Sequence, residues 1–254
     1  MTSYTPKIVV ITGATGGFGE AFARKFAAAG CALILTGRRA EKLDALAAAL
    51  KVPVHTIIVD VSDRQAVKAA FANLPESFRA IDLLINNAGC ALGQEPAYEA
   101  SADDWQEMIE ANNLGLVMVT HSILGGMVDR RHGHIINISS TAGSYPYPGG
   151  HVYCATKAFV KQFSLSLRSD LNSKGVRVTN IEPGMVETAF SLTRFKGDAA
   201  KAAAVYEGAN PLTAEDIAET VFWAATQPPR VNINRIELMP TTQAPGPLVV
   251  YREG

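Results

Sequence analysis

Residues 7–19 read KIVVITGATGGFG, and this stretch decides the fold. The apolar, β-branched run IVVI predicts a buried strand, and a helix is predicted to follow over Gly17–Ala29. Between them, Gly13, Gly17 and Gly19 permit a tight turn and a close approach of the backbone to a ligand. A pyrophosphate fits such a turn because the N-terminus of the helix offers free N–H groups. The stretch therefore predicts a dinucleotide site, although an ordinary strand-to-helix turn is the alternative.

Strand-like and helix-like segments alternate along the rest of the chain. Seven strands are predicted, at Lys7–Thr12, Ala32–Thr36, Val54–Val59, Ile81–Asn86, His134–Ser139, Val176–Ile181 and Arg235–Met239. Six helices are predicted, at Gly17–Ala29, Ala40–Leu50, Asp63–Leu74, Asp103–Arg131, Val152–Ser173 and Thr213–Thr226. The alternation is typical of βαβ units, and the nearly continuous apolar strands favour helices on both faces of a parallel sheet. We therefore expect one doubly wound α/β domain over residues 1–254.

Two segments depart from this alternation. Residues 187–210, called the lid segment below, are long and only weakly periodic, so they form either a lid over a site or a surface excursion. The C-terminal tail, residues 240–254, contains three prolines followed by the apolar run LVVY. We expect this run to dock on another surface.

The composition excludes several classes of protein. The 254 residues carry a formal net charge of −1, so we expect no partnership with nucleic acid or with an anionic membrane. No apolar run is long enough for a transmembrane helix, and no apolar signal region precedes the first strand. The three cysteines form no C-x-x-C pair and predict neither a disulfide framework nor a metal site. We expect a cytoplasmic protein.

The end of the second strand bears on the choice of dinucleotide. It reads ALILTGRR, without the Asp or Glu that would hold the ribose hydroxyls of NAD. Arg38 and Arg39 occur there instead, and a guanidinium can bind a 2′-phosphate. The alternative is a solvated basic pair at the start of the next helix, where positive charge opposes the helix dipole. The sequence therefore favours NADP(H) over NAD.

A candidate catalytic group lies in the sequence YCATK. Tyr153 and Lys157 are four residues apart, so on a helix they share one face. The ordinary pKa of a tyrosine is about 10, and a neighbouring ammonium group would lower it. Ser140 ends the fifth strand, at the edge where such sheets bind ligands. Asn112 lies in the long fourth helix, where its amide could bond the backbone or hold a water molecule. Taken alone, the Tyr–Lys pair could equally be a surface contact.

Together these motifs resemble those of the short-chain dehydrogenase/reductase family. In chain order they are TGATGGFG, NNAG at 86–89, NNLG at 112–115, the set Ser140, Tyr153 and Lys157, and PG at 183–184. The resemblance covers nearly the whole chain with normal spacings. It implies a Rossmann-type sheet and hydride transfer between a nicotinamide and an alcohol or carbonyl.

The resemblance implies roles for the catalytic residues. Tyr153 would be the general acid/base, and Lys157 would lower its pKa and hold the ribose. Ser140 would polarise the substrate oxygen. The adjacent Ser139 is an alternative, but the thirteen-residue interval to the tyrosine favours Ser140. Asn112 would hold a water molecule in a proton relay.

The resemblance also implies a cofactor site. Asp60 would meet the adenine, Asn87 would line the pocket and Thr188 would reach the carboxamide. The full set of expected cofactor residues is Thr12, Gly13, Gly17, Phe18, Gly19, Arg38, Arg39, Asp60, Val61, Asn87, Tyr153, Lys157, Pro183, Gly184, Val186 and Thr188.

One branch of the family is most similar, the NADP-dependent 3-hydroxy acid dehydrogenases of bacteria. Stretches that carry this resemblance include TGRR, HGHIINISS and VNINRIELMPTTQ. Members of the branch oxidise serine, allo-threonine and related hydroxy acids or reduce malonic semialdehyde, and sulfoacetaldehyde reductases are similar to it. The resemblance implies a short anionic aldehyde or its hydroxy acid as substrate. The alternatives are a reductase of neutral ketones or aldehydes, steroids or acyl-carrier thioesters, and a non-catalytic dinucleotide sensor.

An anionic substrate requires a cationic or donor-rich group about one small molecule's length from Tyr153. We predict that Arg194 is this anchor, because a guanidinium binds a carboxylate or sulfonate in a fork, and Lys196 is a weaker candidate. Tyr147 and His151 could supply neutral donors or could be packing and surface residues. Arg194 could also be a solvated charge, and the sequence does not distinguish a carboxylate from a sulfonate substrate.

Assembly is a further implication of the family resemblance. It implies a homotetramer formed through the fourth and fifth helices and the last strand. The LVVY tail could dock on a neighbouring subunit, and light scattering of a protein that lacks residues 241–254 would test this.

Overall fold

Seven parallel strands form the central sheet of the computed structural model, which describes residues 4–246. The strands are β1 Ile8–Ile11, β2 Ala32–Gly37, β3 Val54–Ile58, β4 Leu83–Asn86, β5 Gly133–Ile138, β6 Val176–Pro183 and β7 Arg235–Leu238. They lie in the order β3-β2-β1-β4-β5-β6-β7, and every neighbouring pair is parallel. The predicted seven-stranded parallel sheet is confirmed.

Helices cover both faces of this sheet. Within the described residues they are α1 Gly17–Ala28, α2 Ala40–Ala49, α3 Arg64–Ala72, α4 Ala102–Ile109, α5 Leu116–Asp129, α6 His151–Asp170, α7 Phe190–Arg194, α8 Ala199–Ala204 and α9 Ala214–Ala225. Residues of α1, α2 and α9 pack on one face, and residues of α3, α5 and α6 pack on the other. Over residues 4–246, none of the helices combines the length and the apolar character needed to cross a bilayer.

Strand β1 shows why a central strand of this sheet can be apolar at every position. Val9 and Ile11 belong to the core beneath α1 and α9, whereas Ile8 and Val10 belong to the core on the opposite face. Successive side chains of a strand point to opposite faces, so a strand covered on both sides has no solvent-facing position. The strand order reverses between β1 and β4, and the loops that follow these two strands therefore border a crevice at the carboxyl edge of the sheet.

The single helix predicted over Asp103–Arg131 is wrong in one respect. A π-helical turn, Glu110–Gly115, separates α4 from α5. Within it, the side chains of Asn112 and Asn113 donate to Thr156 Oγ1 and to the Thr156 carbonyl, at 3.0 and 2.9 Å. These bonds to α6 hold the widened turn in place. Helical periodicity in the sequence contains no trace of such a long-range constraint.

The lid segment contains the two short helices α7 and α8 rather than an irregular loop. Its ends are tied down where Val186 bridges Leu212 as in a parallel sheet and where Tyr206 donates to the Val186 carbonyl at 3.1 Å. The described part of the tail returns to the loop after β6, because the Gln243 side-chain oxygen accepts the Met185 N–H at 2.7 Å. The LVVY run lies outside the described residues.

Candidate active site

The loops after β1 and β4 are joined by one threonine and one asparagine. Thr12 Oγ1 accepts the backbone N–H groups of Asn87 and Ala88, each at 2.9 Å. Asn87 Nδ2 donates in return to the carbonyls of Thr12 and Gly13, at 2.9 and 3.2 Å. Asn87 therefore lies at the predicted crevice, and its side chain fixes the shape of the glycine turn.

The glycine turn packs so closely against its neighbours that side chains would not fit at Gly13 and Gly17. Gly13 has a φ of +63°, and a Cβ there would lie 2.9 Å from the Ala88 Cα. A Cβ on Gly17 would lie 3.0 Å from the Thr188 side chain, which places the predicted carboxamide-binding residue against the turn. The Phe18 ring packs on Phe22 and on the core. The turn fits a bound pyrophosphate at the N-terminus of α1.

The two arginines after β2 lie at the outer end of this turn. Arg39 donates to the Thr15 carbonyl and to Thr15 Oγ1, at 2.8 and 3.0 Å. Arg38 lies 3.4 Å from an Asp60 carboxylate oxygen. Burial raises the pKa of Asp60, but hydrogen bonds from Ser62 and the charge of Arg38 outweigh it and leave that pKa below its ordinary value. The exposed guanidinium groups therefore lie between the glycine turn and Asp60, at the carboxyl end of β2. Next to Asp60, Val61 is buried.

Tyr153, Ser140 and Lys157 come together at the carboxyl end of β5. Ser140 Oγ accepts the Ala142 N–H at 3.1 Å and lies 3.3 Å from the Pro183 carbonyl oxygen. Lys157 Nζ donates to the Ile138 carbonyl at 3.0 Å and lies 5.8 Å from the centroid of the Tyr153 ring. The neighbouring Ser139 is buried and donates to the Lys157 carbonyl, so it is a structural residue. This arrangement supports the choice of Ser140 over Ser139.

Burial shifts the pKa values of Tyr153 and Lys157 in opposite directions. It raises the pKa of Tyr153 to about 12, and the Arg194 guanidinium and the Ser140 hydroxyl oppose this rise. It lowers the pKa of Lys157 to about 8, with a small opposing effect of Cys90. Proton transfer from the Tyr153 phenol at neutral pH therefore requires further positive charge near its ring.

The side chain of Asn112 is bonded to neighbouring residues of the protein. Its side-chain oxygen accepts the Cys90 N–H at 2.8 Å, and its Nδ2 donates to the Cys90 carbonyl at 2.9 Å and to Thr156 Oγ1 at 3.0 Å. Both amide hydrogens are therefore engaged within the protein. A water molecule held at Asn112 would therefore contact the backbone of the π-helical turn and not the amide nitrogen.

Arg194 reaches Tyr153 from the lid segment. Its guanidinium carbon lies 5.1 Å from the Tyr153 ring centroid and 5.4 Å from that of Phe190. One guanidinium nitrogen donates to the Tyr147 hydroxyl at 3.2 Å. The ion pairs found within residues 4–246 do not include Arg194. A cation with free donors therefore lies beside the phenol, together with Tyr147.

The structure does not bring the other two predicted substrate residues to the site as donors. His151 Nδ1 accepts the Val152 N–H at 3.0 Å, and Nε2 lies 3.2 Å from the Glu95 carbonyl oxygen. Both ring nitrogens are thus engaged, and of the two alternatives for His151, a donor or a packing and surface residue, these contacts support the second. Lys196 forms an ion pair with Asp104 at 2.8 Å instead of facing Tyr153.

The loop after β6 closes the remaining side of the site. The Pro183 carbonyl faces Ser140, and Gly184 is close to the Gln243 side chain, where a Cβ would collide. Val186 and Thr188 continue this loop toward the lid segment. Thr188 Oγ1 accepts the Phe190 N–H at 3.2 Å, so it also stabilises the start of α7.

Sequence reasoning missed three residues that shape the site. Thr156 anchors Asn112, and its place on the inner face of α6, within YCATK, was an available signal. Phe190 lies 6.0 Å from the Tyr153 ring, and Gln243 holds the loop after β6. No local pattern marks either of these two, because each contact joins segments that are distant in the chain.

Known proteins are similar to this chain over most of its length. Residues 7–198 match the family model described as short chain dehydrogenase. The NADP-dependent 3-hydroxy acid dehydrogenase YdfG of Salmonella typhi is 56% identical over 246 residues, which are 96% of this chain and 99% of that protein. Serine 3-dehydrogenase of Rhizobium radiobacter is 52% identical over 245 residues, 96% of this chain and 98% of that protein.

A solved structure is similar over the whole fold. The closed form of serine dehydrogenase complexed with NADP+ matches with a TM-score of 0.94 and 53% sequence identity. The match covers 97% of this chain and 100% of that one.

Proposed function

The chain belongs to the short-chain dehydrogenase/reductase family, and we propose that within it the protein interconverts a short anionic aldehyde and its hydroxy acid. It is an NADP-dependent oxidoreductase that acts on a hydroxyl group. One observation supports the proposal that the substrate is an anion. The Arg194 guanidinium lies over the ring of Tyr153, and only one of its nitrogens donates to a described residue, Tyr147.

The cofactor site is proposed from the residues that fit NADP(H), which supplies or accepts the hydride when bound. Gly13, Gly17 and Gly19 let the turn fold tightly against its neighbours, so that the N–H groups at the start of α1 are available to the pyrophosphate. Arg38 and Arg39 bind the 2′-phosphate by charge-assisted hydrogen bonds. The guanidinium of Arg39 is already held on Thr15, which reduces the entropy lost on binding.

Proton transfer is assigned to Tyr153. The phenol donates its proton to the carbonyl oxygen during reduction and takes it back during oxidation. Because burial raises its pKa to about 12, the group needs nearby positive charge to give up its proton at neutral pH. Lys157, on the same face of α6, and Arg194, over the ring, supply that charge. Ser140 holds the substrate oxygen beside the phenol.

The substrate anion is assigned to Arg194 and Tyr147. A guanidinium carries five N–H donors, and the Tyr147 hydroxyl occupies one nitrogen. Because the Tyr147 hydroxyl accepts from Arg194, its own hydrogen is free to point to an anion. An aldehyde held by Ser140 and Tyr153 would place a group two carbons away within reach of this pair. A carboxylate or a sulfonate on that carbon is therefore the expected substrate group.

The shape of the anion bears on the choice between a carboxylate and a sulfonate. Both oxygens of a planar carboxylate match the fork of the Arg194 guanidinium, whereas a tetrahedral sulfonate has a third oxygen outside that plane. The ring nitrogens of His151 are engaged elsewhere and add no donor. We therefore favour a carboxylate such as malonic semialdehyde, with sulfoacetaldehyde as the second candidate.

NADPH oxidation with three aldehydes of similar length tests the proposal. Malonic semialdehyde and sulfoacetaldehyde carry the anion, and butanal is the neutral control. We expect kcat/KM for an anionic aldehyde to exceed that for butanal by about 100-fold, because a charged hydrogen-bonding pair is lost with butanal. NADH serves as the cofactor control.

The outcomes separate the alternatives. If butanal reacts as well as the anionic aldehydes, the protein is a reductase of neutral carbonyls and Arg194 is a surface charge. If no aldehyde is reduced while NADPH still binds, the non-catalytic sensor becomes the better description. If sulfoacetaldehyde is the best substrate, the anion site stands and the preference for a carboxylate is wrong.

A further inference from the structure

The chain that follows Arg194 is held to the segment after β4 by two contacts. The Gly93 N–H donates to the Arg194 carbonyl at 3.0 Å. Two residues further on, Lys196 Nζ lies 2.8 Å from an Asp104 carboxylate oxygen. Asp104 lies in the first turn of α4, and its side chain is only 17% exposed. Both contacts act on the end of α7, the helix that carries Arg194.

Lys196 occupies a backbone position that favours glycine. Its φ is +50°, and it follows the last turn of α7, where chains commonly enter the left-handed region. A lysine has a Cβ that makes this conformation unfavourable, and the glycine in this sequence comes one position later, at Gly197. The backbone strain at Lys196 is consistent with a side chain that is needed where it is.

The surroundings of Lys196 hold its ammonium group on the α4 side. Besides Asp104, the carboxylates of Glu95 and Glu107 lie near enough to raise its pKa, although Asp104 has the largest effect. Close by, the Trp105 and His151 rings meet edge to face at 5.1 Å, so the start of α4 also packs against the start of α6. One ion pair thus joins the lid segment to the helix pair that carries Tyr153.

We propose that the Asp104–Lys196 ion pair is a latch that positions Arg194 over Tyr153 and thereby sets the preference for anionic substrates. Neither residue touches the reacting atoms, so both are positioning residues. The inference rests on the proposed function, because a latch on Arg194 affects substrate choice only if Arg194 binds the substrate anion.

The first test compares Lys196→Met with a matched control, Lys201→Met. Lys201 belongs to the same segment, and it pairs at 3.7 Å with Asp198, the residue that caps the N-terminus of α8, without reaching α4. Loss of the latch is expected to raise KM for malonic semialdehyde about fivefold, the effect of one half-buried ion pair. The kcat, the KM for butanal and the Kd for NADPH stay within about twofold of wild type. Lys201→Met leaves all four values unchanged.

Asp104→Asn separates a latch from simple charge attraction. If Asp104 acted only through its negative charge, its removal would reduce the repulsion of malonic semialdehyde and lower the KM for this substrate. The latch predicts the opposite sign, a rise of about threefold, because Lys196 loses its main partner. Lys196→Arg keeps the ion pair and restores KM to within about twofold of wild type. Thermal unfolding of each variant checks that the fold is intact.

Three results would overturn the latch. They are an unchanged KM for malonic semialdehyde in Lys196→Met, equal changes for malonic semialdehyde and butanal, and a lower KM in Asp104→Asn. These results differ from failure of the proposed function, in which the wild-type protein itself shows no preference for the anionic aldehyde.

Discussion

At the carboxyl edge of the sheet, the side chains of Thr12, Asn112 and Lys157 are at most 7% exposed, whereas most of the lid segment is exposed. The first region is fixed by hydrogen bonds to neighbouring strands and helices, such as the bond from Lys157 to the Ile138 carbonyl. The second is fixed by a few polar contacts between side chains and loops. Changes in the first region should therefore affect turnover or cofactor binding with every substrate, and changes in the second should affect the choice of substrate.

Tyr153→Phe has the largest expected effect and tests the first region. Loss of the phenol hydroxyl removes the proton donor, so kcat should fall by about 10³-fold for malonic semialdehyde and butanal alike. The ring remains, so the Kd for NADPH, measured by fluorescence titration, should stay within about twofold of wild type. Retained turnover, or loss of NADPH binding, would show that the role of Tyr153 is different.

Lys157 makes the stability of the buried region depend on pH. Burial lowers its pKa to about 8 from an ordinary value of 10.5, so the folded state holds this proton less well than the unfolded state. The resulting destabilisation is complete below about pH 8 and is relieved as the pH rises toward 10.5. Between pH 7 and 9.5 the free energy of unfolding of the wild type should rise, relative to that of Lys157→Met, by on the order of 2 kcal/mol.

Urea unfolding of both proteins without cofactor, at the two pH values, measures this difference. Other titrating groups are common to the two proteins and cancel in the comparison. A difference that stays constant with pH, or that falls, would mean that Lys157 is not a desolvated ammonium group in the folded state.

The double substitution Arg38→Ala with Arg39→Ala has a smaller effect that is confined to the cofactor. It should raise the Kd for NADPH about tenfold and leave the Kd for NADH within about twofold of wild type, because the exposed guanidinium groups bind only the 2′-phosphate. Lys42→Ala removes an exposed charge from α2 and serves as the control. Equal weakening of both cofactors would contradict the assignment.

The sequence predicts the buried region at the carboxyl edge of the sheet better than it predicts the lid segment. The strands, the glycine turn and the Tyr153–Lys157 pair have local signals, because backbone geometry and helical spacing dictate residue types at fixed intervals. The π-helical turn at 110–115 has none, since it depends on bonds from Asn112 and Asn113 to α6. Periodicity alone merged α4 and α5 into one helix.

The lid segment illustrates what the sequence leaves open. Arg194 was a candidate anchor by residue type, and its position over Tyr153 could not be predicted because α7 is short and lacks a strong pattern. Lys196 has the same chemistry two residues away and yet pairs with Asp104. His151, three residues after Pro148, has both ring nitrogens engaged by backbone groups. Only the fold decides which polar side chain of a loop faces the substrate.

The ratio of kcat/KM for malonic semialdehyde to that for butanal, measured in wild type, Arg194→Met and the control Lys201→Met, tests the central claim most directly. We expect Arg194→Met to lower this ratio about 100-fold by weakening the binding of the anionic substrate, with kcat/KM for butanal within about threefold of wild type. Lys201→Met should keep the wild-type ratio. An unchanged ratio in Arg194→Met would contradict the claim that Arg194 binds the substrate anion.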